Sequence, residues 1–257
     1  MASRHIGELT YQELATSLTA ASILCLPLGS MEQHGPHLPL DTDLVIAEAF
    51  TKAIIEKHGD TFDLWQLPAL PFGLSREHEW APGTMSLSVS GMTALLRDLG
   101  KEIARSLPSK NLVIVNGHGG NRGILDALAL ELRGDFGLNL CALHTGALMG
   151  PVAEKGVPEI HGGRDETSVM LAVAPHLVRR EKFADLKSPP NDKAVRATIL
   201  DPGVSWPWSS DDERISDQGM IGDLTGSSAE HGKAIIARVV EAAGAALKQL
   251  AWNQKQR

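Results

Sequence analysis

The chain has 257 residues, of which 43% are hydrophobic and 21% charged, as is usual for a soluble globular protein, and we expect a single domain over residues 1–257. A formal net charge of −7 at pH 7 argues against nucleic-acid and anionic-membrane partners, because both require a basic surface. We find no secretory signal and no run of roughly eighteen apolar residues, so we expect a cytoplasmic protein with no membrane partner.

Short apolar runs alternate with longer stretches of helical periodicity, which is typical of an α/β fold with a parallel sheet and helices on both faces. The predicted strands lie at 21–29, 63–73, 111–117 and 138–146. The predicted helices lie at 43–59, 90–107, 121–137, 165–178 and 228–254, and Ser90 is a plausible N-cap of the second helix. Cys25 and Cys141 each lie in a predicted strand without paired spacing, which indicates buried free thiols.

The region from Ser188 to about Asp223 is rich in Pro, Ser, Asp and Trp and has no regular period. Connections of this length without secondary structure are uncommon in compact domains and are usually functional, so we interpret this region as a substrate-side loop. Trp206 and Trp208 at its middle could stack on a flat heterocycle, although they could equally be packing anchors.

Three polar clusters occupy positions where ligand sites form in open α/β sheets, after strands or at the start of a helix. They are GSMEQHGPHLPLDTD at 29–43, NGHGGN at 116–121 and HGGRDETS at 161–168. Imidazoles and carboxylates without thiolates suit Zn²⁺, Mn²⁺ or Fe²⁺, so we predict that the clusters assemble a metal site. Asp43, at a helix start, can offer its two oxygens to two cations about 3.5 to 4 Å apart, but the spacing alone also allows one ion.

Each candidate ligand also has an ordinary structural interpretation. Asp43 could simply cap the helix that follows it, and Glu166 is a carboxylate that a helix dipole favours. Glu32 and His34, on alternating positions of an extended segment, could form a surface pair, and His118 could be a turn histidine. The occurrence of all three clusters at strand ends or a helix start favours the metal site over these separate explanations.

At these residues the chain resembles the creatininase (creatinine amidohydrolase) family. The three clusters match its signature segments in order and spacing, and the stretches at 75–88 and 220–232 resemble two further family segments. The resemblance implies a three-layer α/β/α sandwich around a mainly parallel sheet and a centre of two divalent metal ions. It also implies hydrolysis of a non-peptide, often cyclic, amide C–N bond in a small molecule, and commonly a homohexamer.

The resemblance also implies roles for individual residues. Asp43 would bridge the two metals, Glu32 and His118 would complete the site of one metal, and His34 would bind the other.

The fifth ligand is where the chain departs from creatinine-hydrolysing members, which carry a ligand glutamate at the position of Gly120. The resemblance to other NGHGGN members assigns this place to Glu166, so that Glu166 is both a ligand and a candidate for catalysis. His161 matches the histidine that donates a proton beside the metals, and we expect His37 to form a hydrogen bond within the first loop.

The remaining candidates face the substrate. Glu77 and His78 would orient the substrate or a ligand imidazole. Arg164 could meet a substrate carboxylate or phosphate, or form a surface salt bridge. With Trp206 and Trp208, these residues make up the predicted substrate-binding set.

The mechanism expected from this site is metal-assisted amide hydrolysis. The metals would acidify a bound water to a pKa of about 7, the resulting hydroxide would attack the amide carbonyl, and His161 would protonate the leaving nitrogen. The missing glutamate at Gly120 weakens creatinine as the substrate. NGHGGN members include formamidopyrimidine deformylases and a peptidase that trims a modified peptide in mycofactocin maturation.

Proteins of other classes are the rival interpretations. A metal-binding protein that has lost turnover would keep the ligands without the activity. A serine hydrolase would need GxSxG after a strand, and a dinucleotide-binding oxidoreductase would need GxGxxG after the first strand, and neither motif is found there.

Overall fold

The computed structural model describes residues 4–150, 157–187 and 192–256. Within this part of the chain the sheet has four parallel strands in the order β2-β1-β3-β4. They are β1 (Ile23–Leu28), β2 (Leu64–Gln66), β3 (Asn111–Asn116) and β4 (Asn139–His144). The predicted parallel sheet is therefore confirmed. The strand predicted at 63–73 is shorter than expected, because Pro68 and Pro71 cannot donate to a strand ladder.

Helices connect and follow these strands. Their bounds are α1 (Tyr11–Ser17), α2 (Thr42–Phe62), α3 (Val89–Ser106), α4 (Arg122–Phe136), α5 (Thr145–Met149), α6 (Arg164–Val173), α7 (Asp192–Ile199) and α8 (Ala229–Lys255). The predicted N-cap of α3 was wrong, because the hydroxyl of Ser88, and not that of Ser90, accepts the N–H of Gly91 at 3.0 Å. The helix predicted at 165–178 ends at Val173, shortly before Pro175.

The substrate-side region is more ordered than the sequence indicated. Residues 188–191 lie outside the described residues, but α7 follows them, so the expectation of a region without secondary structure was wrong there. Val195 of α7 is buried and packs in a small apolar cluster with Ile215 and Ile221. Ile160, which lies outside the region, packs against this cluster and connects the region to the rest of the domain.

Helices cover both faces of the sheet, because successive strand residues point to opposite sides. One face packs on α2, α6 and α8, and Cys25 and Val113 of the strands share an apolar cluster with Phe50 of α2. The other packs on α3 and α4, with Leu24 and Ile114 of the strands. The three-layer α/β/α architecture is therefore confirmed. None of the described helices is both long and apolar enough to cross a membrane.

The cysteine prediction is confirmed in its main point. Cys25 is free and buried, and Cys141 is free and partly buried. Burial raises the pKa of the Cys25 thiol to about 12 and that of Cys141 to about 11, so both stay protonated and unreactive at neutral pH.

Two glycines explain how the first and second polar clusters come together. β1 and β3 are neighbours, with Leu28 opposite Asn116, so both clusters start at the same edge of the sheet. A Cβ on Gly117 would lie 2.3 Å from the carbonyl oxygen of Asp43, and one on Gly29 would lie 2.5 Å from the amide nitrogen of Leu44. Glycine at these positions lets the first turn of α2 lie directly against the ends of both strands.

Candidate metal centre

The five predicted ligands converge beyond the carboxyl ends of β1 and β3. Glu32 and His34 lie in the loop after β1, Asp43 in the first turn of α2, His118 after β3, and Glu166 in the first turn of α6. Glu32 and Asp43 are 0% and 1% exposed, yet among the described residues the only cationic groups within 4 Å of their oxygens are imidazoles. Buried carboxylates without Lys or Arg are typical of a site built for a metal.

These side chains form two groups that share Asp43. In the first donor group (Glu32, Asp43 and His118), His118 Nδ1 lies 3.2 Å from Glu32 Oε2 and 3.0 Å from Asp43 Oδ2. In the second donor group (His34, Asp43 and Glu166), His34 Nε2 lies 3.1 Å from Asp43 Oδ1 and 4.0 Å from Glu166 Oε2. Asp43 thus turns one oxygen toward each group.

Hydrogen bonds to the backbone orient the ligand histidines. His34 Nδ1 lies 3.2 Å from the carbonyl oxygen of Glu32, and His118 Nε2 lies 2.7 Å from that of Leu74. A carbonyl only accepts, so these nitrogens carry ring protons, and His34 Nε2 and His118 Nδ1 are the nitrogens left to bind a metal ion.

Two oxygens at the centre have no hydrogen-bond partner of suitable geometry. Both Glu32 Oε1 and Asp43 Oδ2 are buried without one. A divalent cation would satisfy these oxygens and could be bound by the facing imidazole nitrogens, so the residues present fit a metal of the type that His and carboxylates bind.

The charged groups of the centre shift one another's pKa values. Burial alone would lower the pKa of His34, but Asp43 and Glu166 outweigh it and raise that pKa to about 10. Burial alone would raise the pKa of Glu32, but His118 outweighs it and lowers that pKa to about 2. The ionised carboxylates thus hold protons on the imidazoles, and a metal ion entering the centre would replace those protons.

Glu166 is the exception among the carboxylates. Burial raises its pKa to about 7, and the nearby His34 opposes this only in part. Its Oε2 accepts the backbone N–H of Gly162 at 2.6 Å, and its side chain is 19% exposed.

The structure explains why position 120 contributes no ligand. A Cβ on Gly120 would lie 2.3 Å from the carbonyl oxygen of Leu74 and 2.4 Å from His118 Nε2. The same Cβ would be 2.8 Å from Glu77 Oε1, so the carboxylate of Glu77 already lies beside this space. No side chain fits at position 120 without a shift of the backbone. The carboxylate that faces His34 is instead that of Glu166.

His161 lies beside the first donor group, as its predicted role requires. Its Nδ1 is 3.5 Å from Glu32 Oε1, and its Nε2 is 2.6 Å from the carbonyl oxygen of Gln33. Burial, with His78 and His34, lowers the pKa of His161 well below its usual value, so the resting ring is neutral. Glu32, His34 and His161 form a third possible metal-binding group, which the sequence analysis did not foresee.

A cavity of about 760 Å³ opens over the centre. All five predicted substrate-side residues line it: Glu77, His78, Arg164, Trp206 and Trp208. Arg164 also forms an ion pair with Asp165, with Nε 3.1 Å from Oδ1. This arginine therefore lines the cavity and also forms the salt bridge that was its alternative interpretation. Arg76 and Arg122 line the cavity as well, and neither was foreseen.

His37 does not bond within the first loop, and that prediction was wrong. Its Nε2 lies 2.9 Å from Thr167 Oγ1 on α6, because the loop folds back over that helix. His37 therefore joins the loop that carries Glu32 and His34 to the helix that carries Glu166.

Sequence reasoning also missed the buried serines of the centre. The hydroxyl of Ser75 donates to Glu32 Oε2, and it also contacts the hydroxyl of Ser30. Both serines are fully buried. Serine is so common in loops that its presence in the sequence gave no signal of this role.

Fold and centre together define a metalloenzyme-like α/β/α hydrolase. The family model for Creatininase, described as creatinine amidohydrolase, matches residues 7–247, so the chain belongs to the creatininase family. It is a hydrolase of that family, whose members act on C–N bonds.

Three relatives illustrate the match. The mycofactocin precursor peptide peptidase of Mycobacterium tuberculosis is 34% identical over 245 residues, covering 92% of this chain and 87% of the relative. The creatinine amidohydrolase of Pseudomonas putida is 30% identical over 201 residues, covering 70% and 75%. A solved structure named creatininase Mn has a TM-score of 0.77 at 26% identity, covering 96% of this chain and 98% of that one.

Proposed function

We propose that this chain is a two-metal hydrolase that cleaves an amide C–N bond at the end of a modified peptide. The observation that carries the two-metal part of the proposal is the pair of donor groups that share Asp43, since a bridging carboxylate is what a two-metal site needs. Zinc, manganese or iron would suit the donors. Bound there, the ions would activate a water molecule and polarise the amide carbonyl.

His161 moves the proton in this proposal. Its Nε2–H is fixed on the carbonyl of Gln33, which leaves Nδ1 unprotonated and directed at the centre. The neutral ring first accepts a proton at Nδ1 and then delivers it to the leaving nitrogen, so His161 alternates between base and acid. Glu166 completes the second donor group and keeps its carboxylate at the cavity wall.

The cavity favours a substrate larger than creatinine. Its volume of about 760 Å³ is in the range of sites for drug-sized ligands, and creatinine would fill only a small part of it. Glu77 and His78 lie at the metal end, Arg164 offers a cation for a carboxylate or phosphate, and Trp206 and Trp208 offer flat apolar faces.

Cyclic amides are the second candidate substrates, because the Pseudomonas putida relative is a creatinine amidohydrolase. A formamide deformylase or a catalytically silent metal-binding protein would keep the same donor groups. The homohexamer implied by the family resemblance and the cytoplasmic location expected from the sequence stay predictions, and light scattering coupled to size exclusion tests the first.

The first experiment combines elemental analysis with hydrolysis assays. Protein purified without chelator is analysed for transition metals and assayed on modified peptides, on creatinine and on a formamidopyrimidine. We expect about two ions per chain and peptide cleavage that disappears on metal stripping. In Glu166→Gln we expect about one ion fewer, whereas the surface variant Glu56→Gln keeps the wild-type content. One ion or none, without cleavage of any amide, contradicts the proposal.

A further inference from the structure

His78 differs from the other histidines of the centre in the direction of its hydrogen bonds. His34, His118 and His161 each donate outward to a backbone carbonyl, so that in the neutral ring the inner nitrogen is the unprotonated one. His78 has no carbonyl on its outer nitrogen. Its Nδ1 lies 2.7 Å from Ser210 Oγ and 3.0 Å from Gln33 Nε2.

The orientation of the Gln33 amide is fixed by its other contacts. Oε1 accepts the backbone N–H of Gly35 at 2.8 Å, and Nε2 lies 3.1 Å from the carbonyl oxygen of Gly219. The nitrogen of the amide therefore faces His78 Nδ1, and an amide nitrogen only donates.

Ser210 has one available acceptor for its proton. Its buried hydroxyl receives the indole N–H of Trp80 at 2.8 Å and an N–H of Gln33 at 3.2 Å. Neither partner can accept, so the hydroxyl proton goes to His78 Nδ1. Since the Ser210 hydroxyl donates to Nδ1 and the nearby amide nitrogen of Gln33 cannot accept a proton, the proton of the neutral ring must be on Nε2.

That Nε2–H points into the metal centre. Nε2 lies 3.5 Å from Glu32 Oε1, the buried oxygen that has no hydrogen-bond partner. The ring of His78 stacks on that of His161 at 4.0 Å between centroids, and His161 Nδ1 is also 3.5 Å from the same oxygen. Two stacked imidazoles therefore present opposite groups to one point, a donor on His78 and a lone pair on His161.

We propose that Ser210 is a positioning residue that fixes His78 in the tautomer with its proton on Nε2. His78 then serves the centre as a hydrogen-bond donor to oxygen, and not as a metal ligand or a base. In the reaction proposed above, the natural recipient of this donor is the substrate oxygen that becomes negative when the amide carbonyl is attacked. This last step rests on the proposed function, whereas the tautomer does not.

Ser210 and Trp208 connect the segment that lines the cavity to the metal centre. Ser210 follows Trp206 and Trp208 in the chain, and its backbone N–H donates to the carbonyl of Glu77 at 2.9 Å. The rings of Trp208 and His78 also form a T-shaped contact, with centroids 5.8 Å apart. The segment that walls the cavity thus also sets the proton position on His78.

The direct test is nitrogen NMR of the zinc-loaded protein with ¹⁵N-labelled histidine. The resonances of His78 are identified by their loss in His78→Gln. We expect Nε2 at the shift of a protonated nitrogen and Nδ1 at that of an unprotonated one. A proton on Nδ1, a doubly protonated ring or a zinc-bound Nε2 overturns the proposal.

Ser210→Ala tests the positioning role, with Ser209→Ala as its matched control. The Ser209 hydroxyl donates to the carbonyl of Glu77 at 3.3 Å and forms no hydrogen bond with His78. In Ser210→Ala only Gln33 remains as a donor, so we expect a second tautomer in the spectra and a kcat about tenfold lower with an unchanged KM. In Ser209→Ala both stay as in the wild type. An unaltered tautomer in Ser210→Ala removes Ser210 from this role.

Metal content separates a donor from a ligand. His78→Leu should keep the zinc content of the wild type while kcat falls about a hundredfold, and His78→Gln should recover part of kcat because its amide can donate from nearly the same place. Loss of an ion in His78→Leu contradicts the proposal. If no amide is cleaved by the wild type, the proposed function fails in the assays, while the spectra and the zinc content still decide the tautomer.

Discussion

The two donor groups share Asp43 but differ in how firmly the chain holds their other members. Glu32 and His118 of the first group follow buried strands, and Ser75 donates to the glutamate. Glu166 of the second group comes from a short helix, is partly exposed, and has a pKa raised by burial to about 7. The first group is preorganised for a cation, whereas the second must lose an extra proton before it binds one. We therefore expect two ions of unequal affinity.

Asp43→Asn should have the largest effect, because it removes a carboxylate from both groups at once. We expect the loss of both ions and a fall in kcat/KM on the order of a thousandfold or more. Elemental analysis after gel filtration and the amide assays measure this. Asp41→Asn, at an exposed position two residues earlier with no side-chain cap hydrogen bond, should be silent. Retention of either ion in Asp43→Asn would show that the groups do not depend on a bridge.

Of these variants, Gly120→Ala should show the largest loss of folding stability. The new methyl would press on the carbonyl of Leu74 and the ring of His118, so we expect a loss of about 1–3 kcal/mol in the free energy of unfolding. Urea unfolding of the metal-free protein gives the value. Gly119→Ala is the control, because a Cβ there has no neighbour within 4 Å. Equal stability of the two variants would mean that the space at position 120 is not closed.

Ser75→Ala should weaken the first group only. Removing the hydroxyl leaves Glu32 Oε2 without its donor, and loss of such a partner typically costs 10-fold to about 100-fold in metal affinity. Competition with a chelator measures the affinity of each ion. Ser106→Ala, on the exposed end of α3, is the control. A change in the weaker ion instead would reverse the assignment of the two groups.

The affinities for the two ions should also differ, by a smaller amount, in how they depend on pH. Below about pH 7 the second ion must displace a proton from Glu166 as well as one from His34, whose pKa is about 10. The first ion displaces one from His118, since Glu32, with a pKa of about 2, is already ionised. As the pH falls below 7, the affinity for the second ion should therefore decrease about twice as steeply. Parallel slopes in calorimetric titrations at several pH values would contradict this.

The sequence was most informative where the fold itself dictates proximity. β1 and β3 are buried apolar runs, and the ends of neighbouring parallel strands meet at one edge, so the placement of His34 and His118 followed from pattern alone. The choice of Glu166 required the family resemblance, because an acidic residue in a first helical turn is common.

What the sequence could not show are contacts made by ordinary residues across long distances. Gln33 meets Ser210 at a separation of 177 residues, and His37 meets Thr167 at 130. Nothing in the local pattern of either pair marks it, since glutamine, serine and threonine are frequent in loops. Such contacts arise only when distant segments of the chain fold against one another.

Because the metal ligands and part of the cavity wall come from different segments, the substrate specificity of such an enzyme can change while its metal centre is kept. The ligands lie on strand ends and first helical turns, while Trp206 and Trp208 lie in a wall segment that supplies none of them. That segment is therefore the natural place for exchange by evolution or by engineering, with the reaction kept and the specificity replaced. Ser210 restricts such exchanges. A replacement segment must also place a hydroxyl donor beside His78 Nδ1, because His78 otherwise loses the fixed Nε2–H that it directs at the centre.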